Sequence, residues 1–234
     1  IVAIFGTTIS PYLFFWQASQ EVEDMKEKPQ RDPLKNNPEQ APEANKRISL
    51  DTFAGMLVSN FIALAIMVTA AATLNANNIT DINSSADAAK ALEPIAGKFG
   101  EILFVVGIIG TGLLAVPVLA GSAAYGLGEA FRWPTGLARK PMEAKAFYGT
   151  IIVATMLGAA LNFSSINPID ALYWSAVLNG VVAVPIMIVM MLMAANSEVM
   201  GEHTIGPWLK LFGWLSTAAM ALCAIGMGAT FFIK

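Results

Sequence analysis

Gly6-Thr7-Thr8-Ile9-Ser10-Pro11-Tyr12 interrupts the first apolar stretch of the chain. Pro11 has no N–H to donate and its ring collides with the carbonyl four residues earlier, that of Thr7, so a helix entering this stretch breaks there. A glycine and three small hydroxyl residues flank the break, residue types that an unwound segment accommodates. In hydrocarbon, freed carbonyls are tolerated only where they face protein or a wet cavity, and broken helices recur in secondary transporters as binding devices for substrates and ions. The alternative is a proline kink whose polar groups are satisfied by neighbouring helices, with no ligand.

The distribution of charge around this stretch sets the fold class. Of 234 residues, 56% are hydrophobic and 13% are charged, against about a quarter charged in a soluble domain. Residues 1–20, 52–80, 102–128, 146–169, 171–197 and 211–233 contain no Asp, Glu, Lys or Arg. Each approaches or exceeds the roughly 20 residues that a spanning helix needs, and none shows strand-period alternation. The sequence therefore predicts an all-α integral membrane protein with transmembrane helices over 1–18, 53–74, 102–125, 147–163, 172–195 and 211–232, the first of them broken. The first stretch is not read as a signal peptide, because it lacks a charged leading region and a small-residue cleavage site.

Lys and Arg in the short loops orient the bundle. Lys26, Lys28, Arg31, Lys35, Lys46 and Arg47 follow the first segment, Arg132, Arg139, Lys140 and Lys145 the third, and Lys210 the fifth, whereas the opposite side holds only Lys90, Lys98 and Lys234. The first set of loops is expected on the cytoplasmic side, which places residue 1 outside. Opening on that side within an apolar helix leads to the expectation that the chain is the carboxy-terminal part of a longer transporter, with further transmembrane helices preceding it. Residues 21–51, rich in both charges and in proline, read as a cytoplasmic charged linker. Residues 75–98 read as an extracytoplasmic loop with a short helix at Ala86 to Leu92. Asn78-Ile79-Thr80, Asn83-Ser84-Ser85 and Asn162-Phe163-Ser164 match the glycosylation pattern on that side, most simply by chance.

The remaining polar and small residues are less specific. Ala120, Ala124 and Gly128, with Gly107 and Thr111 earlier, form a small-residue stripe suited to close helix packing. Asn60 and Asn179 are amides within membrane segments, readable as cation ligands or as interhelix hydrogen-bond donors. The run Met187, Met190, Met191 and Met193 points around its helix and reads as packing. His203 beside Glu202 reads as a solvated surface pair. No segment carries a buried ionisable residue of the kind that ion sites in membranes normally use, so a transported cation would take its neutralising carboxylate from residues outside this chain. The single Cys223 excludes an internal disulfide, the net charge of −3 gives no nucleic-acid footprint, and no catalytic constellation or cofactor motif supports an enzyme.

The order of motifs resembles the NRAMP family of divalent metal transporters, from its sixth transmembrane helix to its eleventh. Gly6-Thr7-Thr8-Ile9-Ser10-Pro11-Tyr12 is similar to that family's sixth-helix motif, usually Gly-Ala-Thr-Val-Met-Pro-His. Asp51-Thr52-Phe53-Ala54-Gly55-Met56 resembles the start of the seventh helix, Ala120-Gly121 the middle of the eighth, and Ser197-Glu198-Val199-Met200-Gly201-Glu202 the end of the tenth. The resemblance implies a LeuT-like inverted-repeat fold and a metal site to which this chain contributes the Thr7 carbonyl and the Ser10 side chain. Pro11, Tyr12 and Asn179 support that site, and an Asp and an Asn come from a first helix not in this chain. Ser10 stands where the family has Met and Tyr12 where it has His. A hydroxyl is a harder donor than a thioether, which implies tolerance of Mg²⁺ or Mn²⁺, and the loss of His puts proton coupling in doubt.

The expected function is divalent metal transport across a bacterial inner membrane, with the metal ion as substrate, the lipid bilayer as surroundings and no resident cofactor. Two other readings stand beside it. An organic-solute carrier of the LeuT type would bind a carboxylate at Thr7, Thr8 and Ser10 through the half-helix amino end. A non-transporting membrane fragment would only pack against partners.

Overall fold

The computed structural model describes residues 1–28, 31–74 and 84–232, apart from the side chains of 87, 90–96, 98 and 231–232. Every regular element among the described residues is helical. The helices are α1 (Val2–Thr8), α2 (Pro11–Glu27), α3 (Ala41–Thr73), α4 (Ser85–Ala130), α5 (Lys145–Ala160), α6 (Pro168–Ala194), α7 (Ser197–Met200) and α8 (Pro207–Phe232). Among the described residues five stretches are long and apolar enough to cross a membrane: Pro38–Thr73, Phe99–Ala130, Lys145–Phe163, Pro168–Ala194 and Pro207–Thr230. The first charge-free stretch forms α1 and the start of α2, broken at Ile9 and Ser10.

Helix ends extend beyond the apolar stretches for local reasons. α2 continues to Glu27, and beyond its end Asp24 is paired with Lys28 at 2.7 Å and with Arg31. Pro38 opens a 3-10 turn, Pro38–Gln40, that leads into α3. Pro42 lies in the first turn of α3, where its missing N–H costs no helix bond. From Glu43 to Phe53 there is neither Gly nor Pro, so the charged residues there join the helix and the irregular part of the linker is shorter than its charge run. α4 contains a non-helical residue, Gly97, with φ 59° and ψ −163°. The part before it includes the expected Ala86 to Leu92 helix, and the part after it carries the apolar span. The start of the 75–98 loop, including Asn78-Ile79-Thr80 and Asn83, lies outside the described residues.

The chain divides into two units, Ile1–Asn45 with Leu172–Lys234, and Lys46–Ala171. In the second, α4 packs on α5. Ala120 and Ala124 are buried there and Gly128 lies under the Thr135 side chain, whereas Gly107 and Thr111 are exposed. The small-residue stripe therefore packs closely only in the last turns of α4. Tyr125 and Phe147 are buried against each other with ring centroids 4.8 Å apart, and Phe147 meets Tyr148 edge-on at 5.4 Å.

This aromatic cluster anchors the α4–α5 connection. The Leu137 N–H donates to the Tyr125 hydroxyl at 3.3 Å, and the Tyr148 hydroxyl donates to the carbonyls of Arg139 at 2.9 Å and Leu137 at 3.1 Å. Tyr148→Phe keeps the ring contact and removes the donor. The expected cost is about 1 kcal/mol, read as a lower unfolding midpoint in detergent with unchanged helix content.

Candidate ion site at the break between α1 and α2

α1 ends because Pro11 offers no N–H to the Thr7 carbonyl. Ile9 leaves the helix at φ −101°, ψ 90°, and its N–H still reaches the Phe5 carbonyl at 2.7 Å. Ser10 is extended, at φ −96°, ψ 102°, and Pro11 starts α2 at its first position, where the chain turns back into helix. Among the described residues no main-chain N–H donates to the carbonyls of Gly6, Thr7, Thr8 or Ile9.

The hydroxyls divide between two roles. Thr7 Oγ1 donates to the Ala3 carbonyl at 2.7 Å, and Thr8 Oγ1 to that of Ile4 at 2.7 Å, so both side chains return to α1 and both residues are exposed. Ser10 is buried, and its Oγ donates weakly to the Thr7 carbonyl at 3.3 Å. Although Ser10 occupies the N-cap of α2, its side chain does not cap that helix, so its acceptor lone pairs are not spent on α2. Of the expected residues, the Thr7 carbonyl and Ser10 Oγ are thus brought together, Pro11 is buried beside them, and Tyr12 is half-buried.

α6 crosses α1 at a glycine contact. A Cβ on Gly6 would collide with the Ala176 carbonyl oxygen and lie 2.6 Å from the Gly180 nitrogen. A Cβ on Gly180 would in turn meet the Val2 carbonyl oxygen at 2.8 Å and the Met220 Cε of α8 at 3.0 Å. Asn179 precedes Gly180 and is half-buried, so the crossing brings this amide within one helical turn of the Gly6 contact on α6. Gly180 and Met220 were not evident as partners of α1 in the sequence. The only hint was a lone glycine beside an amide in an otherwise apolar helix. Asn60, by contrast, donates to the Met56 carbonyl of its own helix at 2.8 Å.

Cavities among the described residues of this unit flank the break. One of about 340 Å³ adjoins Ile1, Val2 and Ala3 with Val177 and Met227. Another, about 660 Å³, lies between Phe14, Phe15 and Ala18 of α2 and Pro185, Val189 and Met193 of α6. Neither is lined by Thr7 or Ser10, so the polar break lies along the chain between them. Met190 also lines the second cavity, and a Cβ on Gly213 of α8 would strike Met191, which accounts for the methionine run as packing.

Farther along the same unit, His203 departs from the expected solvated pair with Glu202. Gly201 at φ 61° reverses the chain after α7 and the His203 N–H bonds the Met200 carbonyl at 3.1 Å. The ring folds inward, with Nε2 buried and without a hydrogen-bond partner among the described residues. No group of three or more His, Cys, Asp or Glu among the described residues is placed to hold a metal.

The five apolar spans and the broken pair define a multi-pass integral membrane protein. The model for natural resistance-associated macrophage protein-like (Nramp) proteins matches residues 1–230, and the chain belongs to that family. The chain is 25% identical over 170 residues to a protein of Klebsiella pneumoniae (strain 342) named divalent metal cation transporter MntH, covering 72% of this chain and 38% of that protein. A protein of the same name from Pectobacterium carotovorum subsp. carotovorum (strain PC1) is 26% identical over 168 residues, 71% of this chain and 38% of that one. The chain thus spans well under half the length of these curated relatives.

Proposed function

We propose that this chain is part of a divalent metal cation transporter of a bacterial inner membrane, and that the ion, as substrate, binds at the break between α1 and α2. The observation that carries this reading is the pairing of the Thr7 carbonyl with Ser10 Oγ, two hard oxygens 3.3 Å apart at a point where Pro11 has released the helix bond. An octahedral hard cation at its usual oxygen distances places neighbouring ligand oxygens about 3 Å apart. Rotation of the Ser10 hydroxyl proton away from the Thr7 carbonyl would let both oxygens face one ion. The carboxy-terminal end of α1 favours positive charge on the same side. Asn179 on α6 is a further oxygen donor one turn from the α1 crossing, and Tyr12 offers a hydroxyl at the start of α2.

Family membership and the named function of the relatives support the same substrate class. The charge that neutralises the ion comes, in this proposal, from residues beyond those spanned by the chain, in a LeuT-like arrangement of which these helices form the second part. Ser10 in place of a thioether leaves the first shell all oxygen and admits Mg²⁺ or Mn²⁺, partly hydrated. In the full-length transporter, Ser10→Met is expected to reduce inhibition of Mn²⁺ uptake by excess Mg²⁺ by about tenfold, some 1.4 kcal/mol of discrimination. Unchanged Mg²⁺ competition in that variant would refute the selectivity account.

A further inference from the structure

Outside the ion site, the most strongly built polar surface is the connection between α4 and α5. Residues 131–145 carry Arg132, Arg139, Lys140 and Lys145 against one acid, Glu143. All four cations are exposed, and the salt bridges of Asp24 with Lys28 and Arg31 use none of them. Charge alone does not distinguish this segment from a solvated loop, but its backbone is fixed at several points. The Trp133 N–H closes on the Gly128 carbonyl at 2.7 Å, Arg132 takes a left-handed φ of 57°, and Arg139 Nε holds the Thr135 carbonyl at 3.1 Å. The Tyr125 and Tyr148 hydroxyls then tie Leu137 and Arg139 to the buried aromatic cluster. Around the cations stand exposed apolar groups: Phe131 stacked on Trp133 with centroids 5.0 Å apart, and Met142 at 75% exposure.

We propose that residues 131–145 form a preorganised surface for the anionic headgroups of phospholipids in the adjoining leaflet. Cations held on a fixed backbone receive phosphate oxygens without the entropy cost of ordering a loop. Phe131, Trp133 and Met142 enter the interface, where amphipathic rings and apolar side chains are favoured. The surface ends directly on the apolar spans of α4 and α5, so lipids of the annulus around these helices carry their headgroups to it. A free anion would gain the charge contacts but none of the apolar ones.

The test measures retention of phosphatidylglycerol by the purified protein in detergent, with phosphatidylcholine as comparison. Each Lys or Arg beside an anionic leaflet contributes a factor of about five, so Arg132→Gln with Arg139→Gln and Lys140→Gln is expected to lower phosphatidylglycerol retention on the order of a hundredfold. Phosphatidylcholine retention stays unchanged. Arg132→Lys with Lys140→Arg keeps the charge and the Arg139 bond to Thr135 and retains binding within a few-fold, as does removal of three cations elsewhere by Lys26→Gln, Lys46→Gln and Lys210→Gln. Equal retention of the two lipids by the unmodified protein overturns the proposal, whether or not the variants fold. So do equal losses in the two glutamine triples and displacement of the lipid by millimolar inorganic phosphate.

Discussion

Alanine at Gly6 is expected to separate α1 from α6. The added methyl carbon meets the Ala176 carbonyl oxygen and the Gly180 nitrogen, both main-chain atoms inside a helix that cannot rotate aside. Overpacking of this kind costs about 1–3 kcal/mol, and displacement of α1 adds loss of the burial of Val2. The check is the unfolding midpoint in detergent. Gly180→Ala forces the same displacement through Val2, with the Met220 tip free to yield, so its cost is similar or smaller. Because α1 lifts only once, the double variant is expected to cost less than the two single changes together. Gly107→Ala is the control: a Cβ there meets nothing within 4 Å, and alanine in a helix interior is favoured over glycine by about 1 kcal/mol. A Gly6→Ala protein as stable as the parent would contradict the close crossing.

Pro11→Ala has the opposite effect on stability and a large one on binding. Alanine supplies the N–H that proline lacks, the Thr7 carbonyl regains a helix donor, and Ser10 is drawn toward helical geometry. The apo protein is expected to be at least as stable as the parent, with slowed amide exchange across residues 9–12. Capture of the Thr7 carbonyl removes one of the two paired oxygens of the proposed ion site, and metal affinity of the proposed transporter is expected to fall about tenfold or more. Stability and affinity moving in opposite directions separate this outcome from simple misfolding. If affinity persists while the amides become protected, the Thr7 carbonyl is not a ligand.

Much of the helical architecture was legible because lipid imposes a strict rule on composition. Charge-free stretches of spanning length can be little else than helices, and Pro11 marked the break within two residues of Ile9 and Ser10. The ends were less legible. Glu43 to Asp51 is polar and helix-compatible at once, and composition does not distinguish a helix that continues into water from a linker. Nor did the small-residue pattern reveal which stretch packs: Ala124 and Gly107 look alike in sequence, yet one is buried and the other open. The Gly6–Gly180 contact joins chain segments far apart in sequence, which local periodicity cannot report. At the candidate ion site, the residue types at the break were readable, but the difference between Ser10, free of capping, and the two threonines, bound back to α1, is set by backbone geometry that residue type does not report.

The first and last parts of the chain belong to one unit, with the residues of the other between them in sequence, which has a consequence for biogenesis. Lys35 Nζ donates to the Glu198 carbonyl 163 residues downstream at 2.5 Å. At about 5–20 residues per second of synthesis, Glu198 emerges about 8 to 33 s after Lys35. During that interval α1 and α2 are without the α6 surface that later covers Gly6. α4 can meanwhile pack on α5, so the earlier-made part of the first unit waits for the later-made part before that unit is complete.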